Sequence, residues 1–268
     1  MIPSGVARSE GFEVVDIGGM AIATASRAAL VSAMLQDSAR RPLRHVRPKV
    51  VVDANGHAIS LRASDPTYRC AVDSADIIHA DGGFLVTLSR LTHNPIPERS
   101  ATTDFIHDAS AAAAAHGVSF YLLGGTEEVN GECVRVLETR YPGLRIVGRH
   151  HGFFHDLHEV ITDINVSKPD VVWIGMGKPT EQVLAIELRE RIDAAWIVTC
   201  GGCFNFVTGA YGRAPLWMQS ANLEWLHRLA TNPRKLFWRY LVSSPHALLI
   251  SVASLWRAQR ARHTDADS

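Results

Sequence analysis

The sequence predicts an α/β fold, in which helices flank a mostly parallel sheet and a basic helical appendage follows. Short apolar or β-branched runs end in Gly or Asp, and a helix-like pattern follows each of them, as in parallel sheets with crossover helices. From Trp225 to Thr264 the chain holds no Asp or Glu, whereas Lys and Arg recur. With 268 residues, 47% of them hydrophobic, the chain can bury one sizeable core. We therefore expect a core over residues 12–216 and an appendage over residues 217–260.

Four predicted strands place glycines at their carboxyl ends. In chain order they are Asp76–Ala80 before Asp81-Gly82-Gly83, Val118–Leu123 before Gly124-Gly125, Asp170–Ile174 before Gly175-Met176-Gly177, and Ala195–Thr199 before Gly201-Gly202. Helices are predicted over Phe84–Leu91, Asp104–His116, Glu127–Arg140, Glu181–Arg191 and Ala221–Leu229. In such a Rossmann-like sheet, ligands bind beyond the carboxyl ends of the strands, where helix N-termini offer free N–H groups. The glycine-ended strands thus indicate one shared site. Thr126 or Thr180 could cap the helix that follows its own strand.

Asp81 and Arg99 are the candidates for chemistry. Asp81 follows an apolar strand, so its carboxylate can project into the crevice as a general base for an acceptor hydroxyl. Capping of the next helix explains the same position equally well. Arg99, in the pair Glu98-Arg99, could hold an anionic group, although a surface ion pair is the local alternative.

Two glycine-rich turns could approach a phosphate closely. The turn from Gly175 to Gln182 is neither a P-loop nor a Gly-x-Gly-x-x-Gly fingerprint, because Thr180 stands at the third glycine position. This departure disfavours an NAD-dependent oxidoreductase. The second turn starts at Gly201, and we expect its Phe204 and Phe206 to lie in the core.

The cysteines and histidines do not predict a metal or redox site. Cys200 and Cys203 have suitable spacing but lack a second pair. The histidines at 150, 151, 155 and 158 surround a loop-like stretch that has no matching set of carboxylates. We therefore predict no metal and no cofactor.

The charge pattern favours a membrane surface over nucleic acid as the partner of the appendage. The chain as a whole is neutral, with 27 Lys and Arg against 27 Asp and Glu, so the basic appendage is a local asymmetry. Polybasic segments gain about 1 kcal/mol per Lys or Arg at an anionic bilayer, and no nucleic-acid recognition module accompanies the patch.

Leu241–Trp256 is too short to span a bilayer, and Met1–Gly19 lacks the apolar core of a signal peptide. We expect a cytoplasmic protein on the inner face of the cell membrane; packing on the core or a homo-oligomer interface is the alternative role of the appendage.

Many short motifs follow one another over about residues 45 to 241. They are Asn55, Asp81-Gly82, Glu98-Arg99, Leu123-Gly124-Gly125, Tyr141-Pro142-Gly143-Leu144, Gly152-Phe153-Phe154, Pro169-Asp170, Gly175-Met176-Gly177-x-Pro179, Phe204-Asn205-Phe206-x-x-Gly209, Arg213-Ala214-Pro215, Leu223-Glu224-Trp225-Leu226, Arg228-Leu229, Pro233 and Arg239-Tyr240. In this order they resemble the WecG/TagA/CpsF family of bacterial glycosyltransferases.

The resemblance implies an inverting, metal-independent transfer from a UDP-sugar to a saccharide on polyprenyl diphosphate, in exopolysaccharide, capsule or envelope-glycan synthesis. The donor sugar would be of the N-acetylmannosamine type, a uronic acid or a hexose. Asp81 matches the proposed base of the family and Arg99 matches its arginine, while the appendage would close over the site and lend arginines to the diphosphate. The predicted substrate-binding residues are Asp53, Asn55, Gly124, Gly125, Gly177, Glu181, Gly202, Asn205, Arg228 and Arg239.

Three motifs depart from the family pattern. The usual Thr-x-Asn is Asp53-Ala54-Asn55, the usual Pro-Lys-Gln-Glu is Pro179-Thr180-Glu181-Gln182, and the usual Phe-Asp-Phe is Phe204-Asn205-Phe206. We expect these changes to alter the donor sugar, and the added carboxylates to disfavour an anionic uronic acid donor. The alternative is a non-catalytic assembly protein that binds a sugar nucleotide.

Overall fold

A computed structural model describes residues 8–9, 11–40, 47–220, 224–231 and 243–257. The strands in these residues are β1 (Arg8–Ser9), β2 (Phe12–Ile17), β3 (Met20–Ala23), β4 (Lys49–Ala54), β5 (Ile77–Ala80), β6 (Ser119–Gly124), β7 (Arg145–His150), β8 (Val171–Gly175) and β9 (Trp196–Thr199). The helices are α1 (Arg27–Arg40), α2 (Gly56–Ser64), α3 (Pro66–Asp73), α4 (Gly83–Ser89), α5 (Thr102–His116), α6 (Glu127–Arg140), α7 (Leu157–Ser167), α8 (Thr180–Arg189), α9 (Cys203–Val207), α10 (Leu216–Ser220) and α11 (Glu224–Thr231). Residues 243–257 are also helical.

The six strands β4 to β9 form one sheet in the order β5-β4-β9-β8-β6-β7, and every neighbouring pair is parallel. The inner strands are almost entirely buried, because helices cover both faces of a parallel sheet. In β4, for example, Val50 and Val52 pack into one apolar cluster and Val51 into the other. The predicted Rossmann-like α/β core is confirmed.

Most predicted elements are present, with ends shifted by a few residues. The helix expected over Phe84–Leu91 is α4, Gly83–Ser89, and the one expected over Glu181–Arg191 is α8, Thr180–Arg189. Thr126 caps α6, since its side chain accepts a hydrogen bond from Val129 N at 3.2 Å. Thr180 does not cap α8, so that prediction is wrong: Thr180 is the first residue of the helix and follows the N-cap Pro179.

The 243–257 helix docks on the core through small and polar side chains. His246 Nδ1 lies 2.9 Å from Ser60 Oγ, and Ser254 Oγ accepts a hydrogen bond from Gly18 N at 2.8 Å. Ala247 is buried on this face, whereas Leu249 is 71% exposed on the other. Within the described ranges, no helix is both long and apolar enough to cross a bilayer.

Candidate active site

Asn55 joins two carboxylates at the carboxyl end of the sheet. It is the N-cap of α2, and its Oδ1 accepts a hydrogen bond from Ala58 N at 3.1 Å. This cap orients the amide, so Nδ2 faces Asp53 Oδ2 at 3.1 Å and Asp81 Oδ2 at 3.2 Å. The residues predicted from β4 and β5 are therefore brought together by a helix cap.

Asp81 does not cap the helix that follows it, so that alternative is wrong. The N-cap of α4 is Gly82, with no side-chain hydrogen bond. Asp81 Oδ1 instead accepts a hydrogen bond from Thr102 N at 3.4 Å. The side chain is 15% exposed, which leaves the carboxylate within reach of the crevice while its neighbours hold its orientation.

Arg99 lies against Asp81 rather than in a surface ion pair with Glu98. Its Nε donates to the backbone oxygen of Asp81 at 2.6 Å, and its Nη2 lies 3.8 Å from Asp81 Oδ1. Its Nη1 donates to the carboxylate of Glu224. Glu98 accepts a hydrogen bond from Arg27 N at 2.8 Å instead. Burial lowers the pKa of Arg99, but Asp81 and Glu224 outweigh burial and raise the pKa overall, so the guanidinium stays charged.

Lys178 is a residue of this site that sequence reasoning missed. Its ammonium forms an ion pair with Asp53 Oδ2, and the two side chains are only 8% and 5% exposed. Burial lowers the pKa of Lys178, but the attraction of Asp53, Tyr68 and Glu181 raises it overall. A lysine directly after Gly175-Met176-Gly177 at a strand end was the available signal.

Glu181 braces two loops at the same edge of the sheet. Its Oε2 accepts hydrogen bonds from the backbone nitrogens of Met176 at 3.1 Å, Gly177 at 2.9 Å and Gly201 at 2.9 Å. Its Oε1 accepts one from Gln182 Nε2 at 3.0 Å. The side chain is fully buried, and burial raises its pKa although Lys178 and the backbone N–H groups oppose that shift. Glu181 therefore contacts protein groups, and its predicted role in substrate binding stays a prediction.

The predicted glycines differ in what they contact. A Cβ on Gly124 would lie 2.3 Å from Gly175 O, so this glycine lets β6 and β8 approach each other. Gly125 has a φ of +68° and Val129 beside it. Among the described residues, a Cβ on Gly177, where φ is +83°, would have no atom within 4 Å, and one on Gly202 would meet only Tyr211, at 3.7 Å. Gly177 and Gly202 thus have no described backbone packed closely against them.

The loop after β9 carries Asn205 on α9. The Asn205 side chain is half-buried, and its backbone oxygen accepts a hydrogen bond from Tyr211 N at 2.9 Å. Phe204 is in the core, as expected, whereas Phe206 is only partly buried and contacts Tyr211 edge to face at 5.5 Å. Cys200 and Cys203 are buried with free thiols. In the described ranges, no group of three or more His, Cys, Asp or Glu side chains could hold a metal ion.

The appendage reaches this site through Glu224, which sequence reasoning also missed. Glu224 is the first residue of α11, and its side chain is 7% exposed between Arg99 and Arg213. The sequence feature that could have indicated Glu224 is its position directly before the acid-free region that starts at Trp225. Arg228 lies on α11, and Arg239 lies outside the described residues.

Comparison with known proteins identifies the family of this chain. The model of the glycosyl transferase WecG/TagA/CpsF family matches residues 15–261. An N-acetylglucosaminyldiphosphoundecaprenol N-acetyl-beta-D-mannosaminyltransferase of Bacillus spizizenii is 30% identical over 195 residues, which are 73% of this chain and 75% of that protein. The proteins of the same name from Bacillus subtilis and Staphylococcus aureus are 29% and 27% identical, over 73% and 66% of this chain and 76% and 70% of their own lengths. The chain therefore belongs to the WecG/TagA/CpsF family and is a glycosyltransferase.

Proposed function

We propose that this glycosyltransferase moves a sugar from a UDP-sugar to a saccharide on polyprenyl diphosphate, with inversion at the anomeric carbon. The observation that carries the proposal is the oriented Asp81 carboxylate beside the Arg99 guanidinium. Asp81 takes the proton of the acceptor hydroxyl as that oxygen attacks the anomeric carbon. Arg99 stabilises the negative charge of the departing UDP. Arg228 and Arg239 of the appendage add positive charge at the diphosphate of the substrate. A homo-oligomer stays a prediction.

A neutral N-acetylmannosamine-type sugar is the donor that we propose. The relatives are named for the transfer of an N-acetyl-beta-D-mannosaminyl group to N-acetylglucosaminyldiphosphoundecaprenol. Asp53 is paired with Lys178, and Glu181 accepts backbone N–H groups, so neither substituted position sends an uncompensated charge into the crevice. These contacts of Asp53 and Glu181 reduce the repulsion that we expected between their carboxylates and a uronic acid donor. The neutral sugar is therefore supported by the names of the relatives.

Release of UDP by the full-length protein tests this function. The assay combines UDP-N-acetylmannosamine, UDP-glucuronic acid or UDP-glucose with anionic vesicles, with and without polyprenyl-diphosphate-linked N-acetylglucosamine. We expect acceptor-dependent release from UDP-N-acetylmannosamine, about tenfold or more above the other donors. Donor binding without release would instead support a non-catalytic assembly protein, and faster release from another UDP-sugar would refute the donor assignment alone.

The appendage supports a place on the inner face of the cell membrane, where an envelope-glycan pathway would supply the acceptor. Large exposed apolar side chains gather after residue 216. They are Trp217, Trp225, Leu226, Leu248, Leu249, Val252 and Trp256. Such side chains beside basic residues are typical of helices that lie in a membrane interface.

Substitution Leu249→Ser is expected to weaken binding to anionic vesicles about tenfold, because burying a leucine contributes about 1.5–3 kcal/mol. Leu249 is 71% exposed, so the substitution leaves the core intact. Vesicle co-sedimentation measures the partition coefficient. Val166→Ser is the matched control, since Val166 is 75% exposed on α7. Equal partitioning of the two variants would exclude this face from the membrane contact.

A further inference from the structure

Glu224 connects the appendage to the catalytic centre. It is separated from Arg99 by 125 positions in the sequence, yet its Oε2 accepts a hydrogen bond from Arg99 Nη1. Its other oxygen lies 3.6 Å from Arg213 Nη2. The carboxylate is thus enclosed by two arginines of the core, and α11 begins at this contact.

The guanidinium of Arg99 lies between two carboxylates. At one end Nε is bonded to the backbone oxygen of Asp81, and at the other end Nη1 is bonded to Glu224. The distance from Nη2 to Asp81 Oδ1 is 3.8 Å, which is too long for a hydrogen bond. The contact with Glu224 therefore fixes the guanidinium at ion-pair distance from the Asp81 carboxylate, without a hydrogen bond between Nη2 and Oδ1.

We propose that Glu224 is a positioning residue, which holds Arg99 beyond hydrogen-bond distance of the Asp81 carboxylate so that docking of α11 sets the strength of the base. Without the negative charge at Glu224, Arg99 turns toward Asp81 and forms a close charge-assisted pair with it. A carboxylate paired in this way is a weaker base, because the neighbouring cation favours its ionised form. This inference rests on the proposed function of Asp81 and Arg99.

Other charged groups among the described residues lie around Asp81, and of these only Arg213 also contacts Glu224. On the β4 side they are Asp53 and its partner Lys178. On the α5 side Asp104 pairs with Arg213. Within β5, His79 is buried beside Ser100, and burial lowers the pKa of its imidazole, which favours the neutral form. Glu224→Gln thus leaves the charges of these groups in place and changes only the charge at position 224 and its contacts with Arg99 and Arg213.

The test compares the pH–rate profiles of wild type, Glu224→Gln and Glu224→Asp in the vesicle assay. Glutamine keeps the size of the side chain but removes its charge. We expect kcat/KM of Glu224→Gln to fall about tenfold on the plateau, and the acid limb of the profile to move down by about one pH unit. Glu224→Asp keeps the charge and is expected to keep the wild-type limb. Glu132→Gln, which breaks the exposed pair with Arg135 on α6, is the control.

A second measurement makes the result independent of turnover. In protein labelled with 13C at aspartate, the Asp81 carboxyl signal is assigned by its loss in Asp81→Asn, and its titration is followed by NMR. We expect a lower midpoint in Glu224→Gln than in wild type. Equal midpoints in the two folded proteins would overturn the role of Glu224. Absence of acceptor-dependent UDP release by wild type would instead refute the proposed function, while the NMR comparison would still decide whether Glu224 controls Asp81.

Discussion

Substitution of Asp81 by asparagine is expected to lower kcat about 10²–10⁴-fold, which is the usual contribution of a general base. Asparagine has nearly the same shape and can still accept a hydrogen bond from Asn55 Nδ2, which lies 3.2 Å from Asp81 Oδ2. It cannot take a proton from the acceptor hydroxyl at neutral pH. The proton that Asp81 removes belongs to the acceptor and not to UDP, so the dissociation constant of UDP should change little.

Two assays check this expectation on the same preparation. Acceptor-dependent UDP release measures kcat, and calorimetric titration measures UDP binding. Asp73→Asn is the matched control, because Asp73 lies on α3 in an ion pair with Arg62 and its side chain is 43% exposed. Turnover of Asp81→Asn close to the wild-type value would exclude Asp81 as the base, even if UDP binding were unchanged.

Substitution of Lys178 by methionine is expected to destabilise the fold by about 3–5 kcal/mol, because it leaves Asp53 buried without its cation. The Asp53 side chain is 5% exposed, and Asn55 Nδ2 would be its only remaining side-chain donor among the described residues. The double substitution Lys178→Met with Asp53→Asn removes both charges and is expected to recover most of the lost stability. The free energy of unfolding in urea measures both effects.

The complete double-mutant cycle separates the ion pair from other effects of the two substitutions. Asp53→Asn alone leaves a buried lysine and should also be destabilising. Arg135→Met breaks an exposed pair on α6 and should leave the stability unchanged. If the effects of the two single substitutions at positions 53 and 178 simply add in the double variant, the pair is not coupled and the expectation fails.

Local sequence patterns were sufficient to predict the strands of the parallel sheet that lead into glycine, but not its other strands, β4 and β7. β4 has the apolar run of a buried parallel strand, but it ends in Asp53-Ala54 and is followed by Asn55, so a search for glycine-ended strands does not find it. β7 is an edge strand whose residues are mostly half-exposed, and it lacks the continuous apolar run of an inner strand. The partial exposure of β7 therefore explains why that strand was missed, whereas β4 was missed because polar residues rather than glycine stand at its carboxyl end.

The sequence by itself predicted the parallel sheet, which the structure confirms, and it proposed a ligand site at the carboxyl edge of the sheet with Asp81 and Arg99 as candidates. These depend on residues close together in the chain, since a strand, its glycine turn and the next helix form a local unit. Only the tertiary structure decided that Lys178 neutralises Asp53 and that Glu224 holds Arg99. The members of each pair are 125 positions apart, and nothing in their neighbouring residues encodes the partner. Long-range ion pairs follow from the order of strands across the sheet and from where the appendage docks, which are properties of the folded chain.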